Sequence, residues 1–256
     1  MKKSLIALAV TTATIMSGGV MAASWSNGSP GSSSFEMSGT LSPATATTPW
    51  EVAIGDAKTD LDVTMSEGDQ QGTVNVSSAI PVLGIRSVSG GFQGGQPGII
   101  PNITYGSGLT FNSGNSRAPL TLDVMNESSV KIGTLSTTLQ GIAIASNGSE
   151  AVSLNANTSS GAFYGGVPRG KAKALQGEAA KSALQALFPE ATQNWPVDAV
   201  MSDNGGEWTF ADASKTFNAA YASGIPANTD ISIALDTPLG GDTKWTAQLP
   251  VTVSFQ

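Results

Sequence analysis

Cysteine and histidine are both absent from the 256 residues of this chain. Without histidine there can be no Ser-His-Asp triad and no Cys-His dyad, and a zinc site built on His or Cys is excluded as well. Without cysteine no disulfide can brace the fold, so the chain must draw its stability from its core or from another chain. Charge is scarce too: Asp, Glu, Lys and Arg make up 12% of the residues, 19 acidic against 12 basic. That balance keeps a surface soluble and argues against a basic groove for nucleic acid. Nucleotide and hydrolase signatures are missing. There is no G-x-S-x-G and no phosphate loop, and "GSGLTF" from Gly106 fails the last position of G-x-G-x-x-G. The carboxylate pairs Asp60/Asp62 and Asp198/Asp203 read as solvated loop charge. No cofactor and no metal are expected, and the chain is expected not to be an enzyme.

What is present begins with an address. Lys2 and Lys3 precede an apolar run from Leu5 to Val10, and compact residues close the segment at Val20, Met21 and Ala22. This pattern predicts a signal peptide over 1–22, with cleavage after Ala22. Thr11, Thr12 and Thr14 interrupt the apolar run and Gly18 and Gly19 follow it, which disfavours a membrane anchor. Export removes two lysines, leaving 10 basic residues against 19 acidic ones and a net charge of −9. Ser, Thr, Gly and Asn fill the places of the missing charges, a composition common in extracellular β-proteins.

Period-2 alternation dominates the rest. Near the mature N-terminus, Phe35, Met37, Gly39 and Leu41 alternate with Glu36, Ser38 and Thr40; at the other end Trp245, Ala247, Leu249, Val251, Val253 and Phe255 alternate with polar residues. Both read as strands, and Pro250 places the C-terminal one at an edge because proline cannot donate a ladder hydrogen bond. Further runs lie at Leu61-Val63-Met65, Val74-Val76, Leu120-Leu122-Val124, Ile142-Ile144, Phe217-Ala219-Tyr221 and Ile231-Ile233-Leu235. Turn formers separate them, which predicts a β-sandwich. The glycine-rich stretch Gly90–Gly98 reads as a loop. One helix is predicted over Lys171–Phe188, with Leu175, Ala179, Ala183, Leu184, Leu187 and Phe188 on one stripe and Pro189 as its stop. It lies in an expected insertion over about 149–204.

Trp195 and Trp208 lie in or near that insertion. Core packing accounts for both, and stacking on sugar rings is the alternative. Arg169, Lys171 and Lys173 form a small basic cluster that reads as a solvated helix start.

The segments "MKKSLIALAV…MA", "FEMSGTLSP", "FYGG" at Phe163–Gly166, "AAYASGI" at Ala219–Ile225 and "KWTAQLPVTVSFQ" at the C-terminus together resemble one family. It is the chaperone-usher fimbrial subunits, nearest to the large cysteine-free adhesive subunits of the kappa branch. The resemblance implies an all-β, incomplete immunoglobulin-like β-sandwich that is completed by a donor strand and carries a small helical insertion. It implies a donor-strand extension at 23–42, with Phe35, Met37, Gly39 and Leu41 as donor residues, followed by the pilin sandwich at 43–256. Trp245, Leu249, Val251, Val253 and Phe255 would form the edge offered to a chaperone and later to a donor strand. The implied partners are a periplasmic chaperone, an outer-membrane usher, other copies of this chain, other fimbrial subunits and a host glycan; nucleic acid is not among them. The implied location is a cell-surface fimbrium reached through the periplasm. Candidates for glycan contact are Phe163, Tyr164, Arg169, Lys171, Lys173, Trp195 and Trp208. A non-adhesive structural or minor subunit is the alternative, and an exported carbohydrate-active enzyme using two carboxylates is a more distant one.

Overall fold

The computed structural model describes residues 48–106, 108–148, 150–196 and 198–256, all within one compact unit spanning Thr45–Gln256. The expected signal peptide over 1–22 and the expected donor-strand extension over 23–42 lie outside the described residues. The alternating segments become strands: β1 (Trp50–Ile54), β2 (Gln71–Val76), β3 (Ile80–Ser87), β4 (Phe92–Gln93), β5 (Pro101–Tyr105), β6 (Arg117–Asn126), β7 (Lys131–Ser146), β8 (Ala151–Leu154), β9 (Met201–Gly206), β10 (Thr216–Ile225), β11 (Thr229–Leu235), β12 (Trp245–Thr246) and β13 (Val251–Phe255), with one helix, α1 (Gly177–Leu187), between β8 and β9. The fold is all-β with a large antiparallel sheet and a short helix, as an immunoglobulin-like sandwich requires.

β7 is the spine. Its 16 residues carry β10 and β11 on one edge and β6 and β8 on the other, because Gln140 pairs with both Gly224 and Arg117, and Ser146 with both Asn218 and Ala151. β2 and β3 run almost in line along β11 and β10, with Val76 opposite Thr229 and Ile80 opposite Ile225. β1 closes the outer edge of β3. β5 and β13 form a separate two-stranded ladder.

The period of two sorts side chains between two cores. On β7, Leu135, Leu139, Ala143 and Ala145 enter the main core, whereas Ile142 and Ile144 point to the other face. On β10, Phe217, Ala219 and Tyr221 point inward and Ala220 and Ala222 outward. α1 covers that outward face with Ala180, Leu184 and Leu187. These segments are therefore buried on both sides, and their small residues let the helix approach the sheet closely. Gly84 illustrates the closeness: a Cβ there would stand 3.1 Å from the ring of Phe188.

The helix is shorter than its sequence predicts. Lys171–Lys173 forms a separate 3-10 turn, Ala174 and Gln176 are extended, and α1 begins at Gly177, whose φ is +58°. The reason lies in tertiary contacts: Gln176 turns its side chain away to accept from the Gly205 N–H at 3.0 Å, and Leu175 N donates to Ser116 Oγ at 3.0 Å. Ala179 is exposed and Ala180 is buried in its place.

The two-stranded ladder is fastened to the large sheet by buried hydroxyls. Tyr105 and Tyr221 place their oxygens 2.7 Å apart, Tyr105 donates to Ser223 Oγ at 2.6 Å, and Tyr221 donates to the Gly166 carbonyl at 3.1 Å. Burial pushes the Tyr105 hydroxyl up to about 12, and burial, then the neighbouring Tyr105, raises Tyr221 well above the ordinary tyrosine value. The consequence for stability has a definite sign. Both groups are neutral below about pH 10 in either state, so their contribution is fully present there; above it the unfolded chain loses protons first and stability falls. Thermal unfolding measured across pH is expected to give a melting temperature that drops steeply between about pH 10 and 12. Tyr105→Phe should flatten part of that drop and lower stability at neutral pH by about 1–3 kcal/mol.

Candidate functional site: an open seam along the sandwich

The C-terminal alternation ends as an edge. Val251, Val253 and Phe255 turn toward the main core and are half-buried, whereas Thr252 and Ser254 face outward. β13 pairs with β5 through five rungs, Val251 opposite Tyr105 to Phe255 opposite Pro101. On its other edge it meets no strand among the described residues.

β5 is occupied on both sides. Phe163 N donates to the Pro101 carbonyl at 2.6 Å and Ile103 N donates to the Tyr164 carbonyl at 2.8 Å, with a parallel bridge between Asn102 and Tyr164. The tetrapeptide Phe163–Gly166 thus acts as the third rail of this ladder. Phe163 takes a φ of +62° and is fully buried, its ring stacked on Tyr221 at 5.5 Å. A Cβ on Gly165 would fall 2.0 Å from the Ile103 carbonyl oxygen, and Gly165 has φ +83°, so only glycine fits there.

Two further stripes are left half-covered. Leu61, Val63 and Met65 are partly buried while Asp60, Asp62 and Thr64 are exposed, the alternation of a strand, but no ladder forms over 56–65 among the described residues. Leu61 and Val63 pack on the same core as β13, and Val63 and Met65 lie over Gly72 of β2. On β1 the contrast is sharper. Val52 and Ile54 stand directly opposite Ile85 and Leu83 and share their face of the sheet, yet they are 45% and 64% exposed where their partners are 1% and 0% exposed. Apolar stripes that share a face with core residues and stay partly uncovered are places where an added strand can bind.

Electrostatics around the seam are mild. Lys58 Nζ lies 2.7 Å from Asp60, and the hydrogen bond from Lys58 holds that exposed carboxyl below its usual value. The Asp60/Asp62 pair is therefore partly neutralised by its own loop.

Three sequence expectations are corrected here. The single C-terminal strand is two: Trp245 and Thr246 pair with Asn126 and Met125 of β6, and only Val251–Phe255 pairs with β5. The chain passes between the two ladders over Ala247–Pro250, where Pro250 accepts from Gly106 N but has no N–H of its own to extend a ladder. Leu249 lies in this connection and packs on the core from there. The run at Leu61–Met65 keeps its alternation but has no partner strand among the described residues. Within the glycine-rich stretch Gly90–Gly98, Phe92 and Gln93 form the short β4 against Phe217 and Thr216.

The aromatic and basic residues of the insertion do not converge. Phe163 is sealed inside the core. Tyr164 and Arg169 meet: Arg169 Nη2 donates to the Tyr164 hydroxyl at 2.8 Å, with the guanidinium 5.4 Å from the ring centre. Lys171 reaches Asn204 Oδ1 at 2.8 Å and Lys173 is exposed. Trp195 packs beside α1 against the second core, with its indole nitrogen buried and unpartnered, whereas Trp208 packs on the first core, edge to face with Phe217 at 5.9 Å. Sequence reasoning missed β5 and the inner stripe of β1. The only signal for β5 is the short alternation Pro101-Ile103-Tyr105, and β1 offers Trp50-Val52-Ile54.

Comparison with known proteins gives the same direction. A family model described as "Fimbrial, major and minor subunit", of the K88 type, matches residues 1–256. The chain is also 25% identical over 293 aligned positions to the K88 fimbrial protein AC of Escherichia coli, covering 100% of both chains. An all-β sandwich with an uncovered seam and a whole-length family match agree: this chain belongs to the K88-type family of major and minor fimbrial subunits.

Proposed function

We propose that this chain polymerises by donor-strand complementation, the seam of one subunit receiving the segment containing Phe35, Met37, Gly39 and Leu41 from the next. The observation that carries this reading is the edge of β13 that meets no strand among the described residues, beside inward-facing apolar residues that remain half-exposed. An edge strand offers its N–H and C=O groups as a template, and alternate side chains of an added strand fill the pockets below. In this reading Val251, Val253 and Phe255 line the acceptor edge, Trp245 and Leu249 support it from the preceding segment, and Leu61–Met65 forms the opposite flank.

Before assembly the same seam needs protection, which is the role proposed for a periplasmic chaperone; an outer-membrane usher would then exchange chaperone for donor strand. The route is export under the signal 1–22, transit of the periplasm and incorporation into a cell-surface fimbrium with other subunits.

Adhesion to a host glycan is the second part of the proposal. Residues outside the seam stay exposed on every copy along a fibre, so sites of weak affinity gain avidity by repetition. Among the insertion residues, Tyr164 with Arg169 and the neighbouring Lys171 and Lys173 form an exposed aromatic and basic group, and Trp208 lies apart from it; Phe163 and Trp195 would act through packing.

The test is assembly followed by adhesion. The exported chain, expressed with its chaperone and usher, is expected to give denaturant-resistant ladders on an unheated gel. Fimbriae carrying alanine at Tyr164, Arg169, Lys171, Lys173 or Trp208 are then compared on a glycan array. Absence of any ladder would remove the polymer reading, and ladders without glycan binding would leave a purely structural subunit.

A further inference from the structure

β1 is an edge strand without the guards that edges usually carry. Natural sheets protect such a strand with lysine, proline, a bulge or an inward-pointing charge. Trp50–Ile54 has none of these. Its register against β3 runs without a shift, and its one charge, Glu51, lies on the face away from the main core, where it accepts from Arg86 Nε at 2.5 Å and from Asn194 Nδ2 at 3.4 Å. Arg86 donates in turn to the Glu190 carbonyl at 2.7 Å and to Gln193 Oε1 at 2.6 Å. The carboxylate at this edge is thus neutralised by a guanidinium fixed in place.

The backbone of β1 has a definite polarity. Val88 N donates to the Pro49 carbonyl and Gly55 N to the Val82 carbonyl, each at 3.0 Å, so the odd-numbered residues bond to β3. Bonding direction alternates along an antiparallel strand, and Trp50, Val52 and Ile54 therefore turn their N–H and C=O groups to the opposite edge. That edge meets no strand among the described residues. The same Val52 and Ile54 carry the exposed apolar side chains, so hydrogen-bonding groups and uncovered apolar surface lie along one line.

We propose that β1 of a subunit in one fibre pairs antiparallel with β1 of a subunit in a second fibre, about a two-fold axis at Val52. Such an interface is self-complementary. Val52 then faces Val52 of the second copy, and Trp50 and Ile54 face each other's counterparts; each of these pairs exchanges two backbone hydrogen bonds, about six in all. On the apolar face Ile54 of one copy lies beside Trp50 of the other, an aromatic and β-branched pair that packs well across strands. On the opposite face Glu51 lies across from Ala53 of the second copy, so like charges are not set directly against each other.

The size of the contact decides where it operates. Two five-residue strands overlap over only about 17 Å, too little to bury the ~1,200 Å² of a stable protein–protein interface. Isolated subunits therefore stay unpaired. A fibre repeats the edge on every copy, and each pair formed raises the effective concentration for the next, so a weak contact becomes a firm one by repetition. Charge opposes the approach: with 19 acidic against 12 basic residues, like fibres repel. Salt shortens the reach of that repulsion, from about 30 Å at 0.01 M to about 8 Å at 0.15 M. The inference rests on the chain repeating along a fibre, and not on how successive copies are joined.

The test uses assembled fimbriae of the full chain, which has no cysteine of its own, and single-cysteine variants oxidised mildly. Val52→Cys places two thiols across the axis at a Cα separation of about 5.5 Å, within the roughly 4.4–6.8 Å that a disulfide spans. Ile54→Cys leaves its thiols about 15 Å apart along the paired strands, although Ile54 is the more exposed residue. Val52→Cys is expected to give disulfide-linked subunit dimers, at least about fivefold more than Ile54→Cys, the reverse of their exposure. In electron micrographs native fimbriae are expected to lie paired at about 0.15 M salt and to separate at about 0.01 M; oxidised Val52→Cys fimbriae should stay paired at the lower salt and part on reduction. Ile54→Lys, which adds a guard to the edge, should leave single fibres at both. Native fibres that never pair, equal or greater cross-linking at Ile54→Cys, a Val52→Cys disulfide that holds no two fibres together, or pairing retained in Ile54→Lys would overturn the inference. Ladders on unheated gels read assembly separately, so failure of the polymer and failure of lateral pairing give different results.

Discussion

Phe35→Asp or Leu41→Asp is expected to abolish polymerisation while leaving the chaperone-bound subunit at its normal level. Donor side chains enter the seam of a neighbour and take no part in their own subunit's sandwich in this reading, so their loss should spare folding and stop assembly. Burying Phe35, Met37 and Leu41 at roughly 1.5–3 kcal/mol each gives about 5–9 kcal/mol. Association costs about 4–15 kcal/mol, so the side chains alone come close to balance. The surplus must come from ladder hydrogen bonds to the free edge of β13, at about 0.5–1.5 kcal/mol each, and from covering Val251, Val253 and Phe255. Replacing one apolar donor residue by a carboxylate removes its share and adds the cost of burying a charge without a partner, which tips the balance decisively. Laddered polymers from either variant, on an unheated gel, would remove the donor role from this segment.

Deleting Val251–Gln256 should prevent the subunit from accumulating in the periplasm. The structure makes the effect larger than loss of a docking edge. β13 supplies all five rungs of the ladder on one side of β5, and its removal would uncover Ile103 and Tyr105, which are 2% and 3% exposed in the intact chain. A five-residue strand with its apolar face opened to solvent is an aggregation site and a protease substrate. Val253→Asp tests the same edge with the backbone of the strand left in place. Val253 sits opposite Ile103 in the middle of the strand, so a carboxylate there should weaken both the subunit's own core and any strand added beside it, and immunoblots of periplasmic extract should show a strong reduction. Normal amounts of the truncated chain would contradict the assignment of β13 as the edge that needs protection.

Much of the fold was legible from period-2 alternation. The runs at Val74–Val76, Leu120–Val124 and Ile231–Leu235 lie in strands half-buried on one face, which must alternate, and those at Ile142–Ile144 and Phe217–Tyr221 lie in strands whose two faces enter different cores. The class followed from the same signal: many short alternating runs with turn formers between them, and one helical stretch. Tyr105, Phe163 and Phe210 were not legible as core-building residues. Their positions depend on contacts between segments far apart in sequence, such as Tyr105 with Tyr221 and Phe163 with Pro101.

The chemistry excluded by the absence of His and Cys, the class of fold and the alternation over Trp245–Phe255 were determined by the sequence alone, since each depends on residue type or on spacing along the chain. Which alternating segments found a partner was decided only in three dimensions. Leu61–Met65 and Val251–Phe255 carry the same pattern, yet among the described residues the first forms no ladder and the second is paired on one edge; alternation specifies which side chains face a core but not whether a neighbouring backbone is within hydrogen-bonding reach. The start of α1 at Gly177 was settled likewise by Gln176 bonding to Gly205, and the left-handed backbone at Phe210 by the rings of Trp50, Phe92 and Phe217 packed around it. Local propensity is a weak term, and long-range packing overrides it wherever the two disagree.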